Sequence, residues 1–163
     1  MTAGLGQRTS GGVGDRLTAR LPAGAVVTDP DVMGSFVHDE AEWAPFGQPV
    51  AVVRPRTTAE VAEVVSACAA TGTPLVTRGA GTGLSGGANA VDGCVVLATE
   101  RMTAIKAIDP ANQIAVVEPG VINDDLRRAC AEHGLWYPPD PASYQISTIG
   151  GNVATNAGGL CCL

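Results

Sequence analysis

The chain has 163 residues, 45% of them hydrophobic and 16% charged, which fits one globular domain and excludes a disordered one. Its formal net charge of -6 excludes a general binder of nucleic acid or anionic membrane, since both need clustered Lys and Arg. No apolar run is long enough for a transmembrane helix and the opening residues lack the pattern of a signal peptide, so a cytoplasmic location is expected, peripheral to a membrane at most.

Residues 1–14, rich in Gly, Ser and Thr, are expected to form a flexible tail. Residues 15–48 read as an irregular N-terminal segment with a short helix over 15–21 and another near Asp29 to Asp31. Residues 49–163 read as the main domain. A β-branched run over 50–53 is stopped by Pro55, and Thr57 with Glu60 makes a capping box at a helix start. Val61, Val64, Val65 and Cys68 follow at helical spacing as one buried face, and Gly72 ends the helix. With a strand at 75–77 this predicts a βαβ unit whose two strands lie parallel in one sheet. Further on, 94–99, 103–109 and 113–120 read as three strands, the last two joined by a turn at Pro110 to Asn112. Asn123 is expected to cap a second helix that turns Leu126, Ala129 and Cys130 inward and ends at Gly134. The fold class is α+β with a mixed sheet. Cys68, Cys94 and Cys130 sit at apolar positions as core residues, and with no paired C-x-x-C unit among the cysteines no metal is expected.

The stretch "RGAGTGLSGGANA", residues 78–90, leaves its backbone bare. Gly81, Gly83 and Gly86 match the G-x-G-x-x-G spacing, and Glu100 lies near where a ribose-binding acid is sought. Only residues 87–93 separate that motif from the next strand, too few for a crossover helix, which needs about ten to twelve residues, so a Rossmann site is excluded. A Walker loop is excluded because no G-K-[ST] follows. What remains is a nest of successive main-chain N–H groups around a phosphate, aided by the Thr82 and Ser85 hydroxyls, or a mobile turn with no ligand. A second small-residue loop, "STIGGNVATNAGGL" (147–160), favours the first reading. Between the two, the prolines of "YPPDPAS" (137–143) fix φ and would present Asp140 or Ser143 rigidly.

Taken in order, "VVRPRTTAEVAEVV", "PLVTRGAGTGLSGGA", "GLWYPPDPAS" and "STIGGNVATNAGG" resemble the FAD-binding (PCMH-type) domain of the vanillyl-alcohol oxidase and p-cresol methylhydroxylase superfamily. The branch resembled holds the D-type subunit of glycolate oxidase and the FAD-linked D-2-hydroxyacid dehydrogenases. The resemblance implies FAD as cofactor. It places Arg78, Gly79, Ala80, Gly81, Thr82, Gly83, Ser85, Gly86 and Gly87 at the pyrophosphate, and Pro139, Asp140 and Ser143 beside the flavin. Ser147, Gly150, Gly151, Asn152, Thr155, Asn156 and Gly158 would line its ribityl and pyrophosphate side. Thr82 stands where relatives that bind flavin covalently through this loop have a histidine, so non-covalent FAD is implied. The implied reaction is oxidation of a 2-hydroxy acid by hydride transfer to flavin N5, with electrons passed to a quinone, a carrier protein or oxygen. The catalytic groups of the family belong to a later substrate domain and are expected beyond Leu163, where the chain breaks off; His38 and His133 match none of them. A non-catalytic nucleotide-binding fragment is the competing reading, and purely structural glycine turns are a third.

Overall fold

Alternate side chains along a strand point to opposite faces, so short β-branched runs can serve two cores at once. The computed structural model describes residues 12–162, and the expected tail lies outside them up to residue 11. Strands β1 (Val26–Val27), β2 (Ala51–Val53), β3 (Leu75–Arg78) and β4 (Val95–Ala98) form one four-stranded sheet in the order β1-β2-β4-β3. β4 runs parallel to both β2 and β3, with Val96 opposite Val52 on one side and Val76 on the other, while β1 pairs antiparallel with β2. The two strands of the expected βαβ unit are therefore parallel in one sheet but not neighbours. The fully buried β4 takes the centre between them. β1 escapes sequence reading because two residues are too few to show a period.

Val53, Val95 and Leu97 face a core shared with Leu17 of α1 (Val13–Arg20) and with Val64 and Cys68 of α3 (Thr58–Thr71). Val52, Cys94, Val96 and Ala98 face the other way, where Met33 of α2 (Pro30–Met33), Val37 and Ala90 cover them. Residues before position 49 thus help to close both faces. In α3, Thr57 Oγ1 accepts the Glu60 N–H at 3.2 Å, while the Glu60 carboxylate reaches the Arg56 N–H at 2.8 Å, one residue before the cap. The buried face is Val64, Ala67 and Cys68; Val65 is 46% exposed because the stripe rotates toward Ala67.

Strands β5 (Ile105–Asp109) and β6 (Ile114–Val117) form a separate antiparallel hairpin, so the three strands read after the glycine stretch divide between two sheets. The Asp109 carboxylate fixes the turn by accepting from Ala111 and Asn112. Helix α4 (Asn123–Ala131) packs Leu126 and Cys130 with Val121 and Ile149 as a third core, with Ala129 half-buried. Asn123 does not cap it. Its main chain donates to the Ser147 carbonyl at 3.0 Å, and the bridge between Ile122 and Thr148 beside it turns the Asn123 side chain inward. The helix stops short of Gly134, whose φ of +70 belongs to the following turn.

Leu17 is fully buried between α1 and the sheet. Replacing it with Ala is expected to lower the unfolding free energy by about 2–5 kcal/mol, measured by denaturant titration.

Candidate functional site

Strands β3 and β4 are parallel neighbours, yet the chain between them contains no helix. The connection is the glycine loop. At its start Arg78 is buried and turns its guanidinium beneath the loop, giving Nη1 to the His38 carbonyl at 2.7 Å. A Cβ on Gly81, whose φ is +78, would overlap that guanidinium. Burial draws the Arg78 guanidinium below its ordinary value, opposed by the nearby Asp39, Glu100 and Glu40 carboxylates. Gly86, with φ +74, backs onto Ala44 so closely that its Cβ would lie 2.7 Å from the Ala44 methyl. Gly79 and Gly83 have no left-handed φ; closeness to Thr148 requires Gly79 to be small, whereas a Cβ on Gly83 would press on the Asp39 carboxylate at 3.2 Å. The Gly83 carbonyl accepts from the Glu40 N–H at 2.9 Å. Loop N–H bonds to the protein begin at Ala88, Asn89 and Ala90, and among the described residues those of 79–87 donate to no protein atom.

The second small-residue stretch is a helix where a loop was expected: α5 (Ile149–Ala154) holds Gly150 and Gly151. Glycine costs about 1 kcal/mol in a helix, which hides α5 from sequence reading. Contact explains its presence. A Cβ on Gly150 would lie 2.6 Å from Pro119 Cβ, and the Gly150 N–H donates to the Pro119 carbonyl at 2.8 Å. A Cβ on Gly79 would lie 2.5 Å from Thr148 Oγ1 and 3.6 Å from Gly151 Cα. The two glycine-rich segments therefore meet at Gly79, Thr148 and Gly151. Beside this junction Asn123, Ser147, Thr148 and Asn152 are buried. Among the described residues Ser147 Oγ, Thr148 Oγ1, Asn152 Nδ2 and both amide atoms of Asn123 have no hydrogen-bond partner. Each such group costs about 1–3 kcal/mol when left unsatisfied, so polar groups gathered here are suited to a polar ligand. Sequence reading missed Thr148 and Asn123, which carry no distinguishing spacing.

Other expected site residues are engaged by the protein. Thr155 Oγ1 donates to the Gly151 carbonyl at 2.9 Å, Asn156 lies just past α5 with φ +49, and Gly158 is near Cys162. Asp140 accepts the Cys161 N–H at 3.0 Å, which holds its carboxyl below the usual Asp value. Ser143 accepts through its carbonyl from Ile146 and Ser147. Thr82 and Pro139 are half-buried, whereas Ala80, Ser85 and Gly87 are exposed. Glu100 is taken by the Arg54 guanidinium. His38 Nδ1 lies 2.8 Å from the Asp39 carbonyl, and His133 is exposed. Cys68, Cys94 and Cys130 are buried as expected, and burial pushes their thiols up. Among the described residues no His, Cys, Asp and Glu cluster is placed to hold a metal, and no helix is long and apolar enough to cross a membrane.

A helix-free glycine loop beside a parallel strand thus faces a second glycine-rich segment across buried hydroxyls, an arrangement suited to a polar, acceptor-rich ligand. The FAD binding domain family matches residues 49–163, and the chain belongs to it. Over 112 residues it is 47% identical to glycolate oxidase subunit GlcD of Bacillus subtilis, which covers 69% of this chain and 24% of the relative. It is 37% identical to D-2-hydroxyglutarate dehydrogenase of Stutzerimonas stutzeri, covering 90% of this chain and 31% of that one. The fold aligns with p-cresol methylhydroxylase at a TM-score of 0.71 and 26% identity, over 86% of this chain and 28% of the other. The chain thus spans about a quarter to a third of the length of these proteins. The residues present fit FAD: unpaired loop amides, the orphaned Ser147 and Thr148 hydroxyls and the Asn152 amide are neutral donors suited to a diphosphate and a polyol.

A Gly79→Ala substitution is expected to push Thr148 away and cost about 1–3 kcal/mol of stability, measured by thermal unfolding. The Asp140 carboxyl should titrate below the ordinary Asp value of 3.8. Its bond to Cys161 is therefore complete at neutral pH and is lost only as pH falls through that depressed midpoint. A carboxyl NMR titration checks this, with the Cys161 amide shift following the same curve.

Proposed function

We propose that this chain is the cofactor-holding part of an FAD-linked oxidoreductase that oxidises a D-2-hydroxy acid of the glycolate or lactate type. The observation that carries the reading is the contact of the glycine loop with the second glycine-rich segment at Gly79, Thr148 and Gly151, beside loop amides at 79–87 and the Ser147, Thr148 and Asn152 donors that have no protein partner among the described residues. The names of the relatives, a glycolate oxidase subunit and a D-2-hydroxyglutarate dehydrogenase, support the substrate class. When bound, FAD supplies the acceptor for a hydride leaving the α-carbon of the hydroxy acid.

The chain's own residues bind and orient. Loop amides and hydroxyls donate to the cofactor without adding a charged side chain, because Arg78 is committed to the His38 carbonyl beneath the loop. Thr82 offers only an alcohol, and an unactivated hydroxyl is a weak nucleophile. FAD is therefore held without a covalent bond. The residues that hold the substrate carboxylate and take its hydroxyl proton lie outside this chain, and electrons go on to a quinone or an acceptor protein.

Expressed from the full coding sequence in which it occurs, the protein should be yellow, release all of its flavin on acid precipitation, and leave no mass increment on the peptide containing Thr82. Glycolate or D-lactate should then bleach the flavin absorbance. A protein that takes up no FAD overturns the cofactor reading, and flavin that stays bound to the peptide overturns non-covalent attachment. Flavin that none of glycolate, D-lactate and D-2-hydroxyglutarate bleaches would overturn the enzymatic reading in favour of a nucleotide-binding module.

A further inference from the structure

A loop built from glycine has many conformations to lose, and ligand binding must order whatever the protein has not already ordered. In this structure the ordering comes from residues 37–48, which precede the family match at residue 49. They run along the back of the loop without forming a strand. The Ala90 N–H donates to the Val37 carbonyl at 2.8 Å, and the Gly47 N–H to the Ala90 carbonyl at 2.7 Å. Farther along, the Gln48 N–H donates to the Asp92 carboxylate at 2.8 Å and the Gly93 N–H to the Gln48 carbonyl at 2.9 Å.

At the centre lie two buried side chains, Asp39 at 4% exposure and Asn89 at 7%. The Asp39 N–H donates to Asn89 Oδ1 at 2.7 Å, and Asn89 Nδ2 donates onward to the Pro45 carbonyl at 3.1 Å. Asp39 Oδ1 accepts from the Ala41 N–H at 3.0 Å, and Oδ2 faces the Ala88 N–H at 3.5 Å. The same Oδ2 would lie 3.2 Å from a Cβ on Gly83, so the carboxylate rests directly against the loop. The next residue, Glu40, donates its N–H to the Gly83 carbonyl. In a planar trans peptide the carbonyl of one residue and the N–H of the next point in opposite directions. Anchoring the Gly83 carbonyl on this side therefore aims the Leu84 N–H away, toward the side on which a ligand would lie.

We propose that residues 37–48 are a clasp that presets the cofactor loop, with Asp39 and Asn89 as its positioning residues. This rests on the FAD reading given above. Neither side chain needs to touch the cofactor; each acts through the loop backbone it holds. Asp39→Asn keeps the shape and the bond to Ala41 but removes the charge and turns a donor toward the Ala88 N–H. Asn89→Ala removes the buried side-chain link, the bonds to the Asp39 N–H and the Pro45 carbonyl, and leaves the main-chain bonds between the two segments in place.

The test uses the full coding sequence, stripped of flavin and titrated with FAD at a temperature well below unfolding. Val64→Ala, in the core on the opposite face of the sheet, serves as a variant that loses stability without touching the clasp. Asp39→Asn and Asn89→Ala should each weaken FAD binding by about tenfold or more, as for loss of a buried hydrogen bond, while Val64→Ala leaves it within about twofold. In the flavin-free protein, amide exchange at 88–90 should quicken in both clasp variants and stay unchanged across β4. Wild-type affinity in both clasp variants, or an equal loss in Val64→Ala, overturns the inference while leaving the FAD reading standing. Wild-type protein that binds no FAD overturns that reading, and the exchange measurement then decides the clasp alone: unchanged exchange at 88–90 in both clasp variants overturns it.

Discussion

A methyl group at position 79 would collide with the Thr148 hydroxyl, and the candidate site depends on that methyl being absent. The contact joins the end of β3 to the start of α5, two elements that belong to different cores. Around it the chain concentrates buried groups that folding alone does not satisfy, two hydroxyls and two side-chain amides, beside a partly exposed run of main-chain N–H groups. Interiors normally pair almost all such groups, because an unpaired one forfeits its bond to water without replacement. Their accumulation on both sides of one close backbone contact gives the junction a chemical direction, toward a ligand rich in acceptors.

Much of the frame was legible in the sequence because period and capping are local signals. The β2–α3–β3 unit, its Thr57 cap and its Gly72 stop follow from residues within a few positions of one another. The central place of β4 was not legible, since strand order depends on which run is apolar on both faces and no local pattern states it. α5 was hidden for a different reason. Its glycines argue against a helix by propensity, and only the close approach of Pro119 explains why small residues are needed there. Asn123 shows the same limit: a good capping residue by type, it is turned inward by pairing with a segment far along the chain.

The site itself was half legible. Both glycine-rich stretches could be picked out as bare backbone, but not that they touch, nor that Thr148 stands between them. The segment 37–48 gave no periodic signal at all, because its contacts are single hydrogen bonds to irregular backbone. Asp39 and Asn89 are ordinary turn residues in sequence and become significant only through their burial against the loop.

The acidity of the chain poses a question for any anionic ligand, and magnitudes resolve it. A carboxylate about 10 Å from a phosphate repels it by roughly 0.4 kcal/mol in water, and salt screens even that beyond a Debye length of about 8 Å. A hydrogen bond from an N–H or O–H to a charged oxygen is worth about 1.5–3 kcal/mol, so a few donors at contact distance outweigh the net charge of -6 spread over the surface. Local geometry decides the outcome. Arg78, with its guanidinium beneath Gly81 and close to the Asp39 and Glu40 carboxylates, leaves the ligand side to neutral donors. Such donors act only at short range and in fixed directions, which is why the shape of the loop, rather than the charge of the chain, governs what this site can hold.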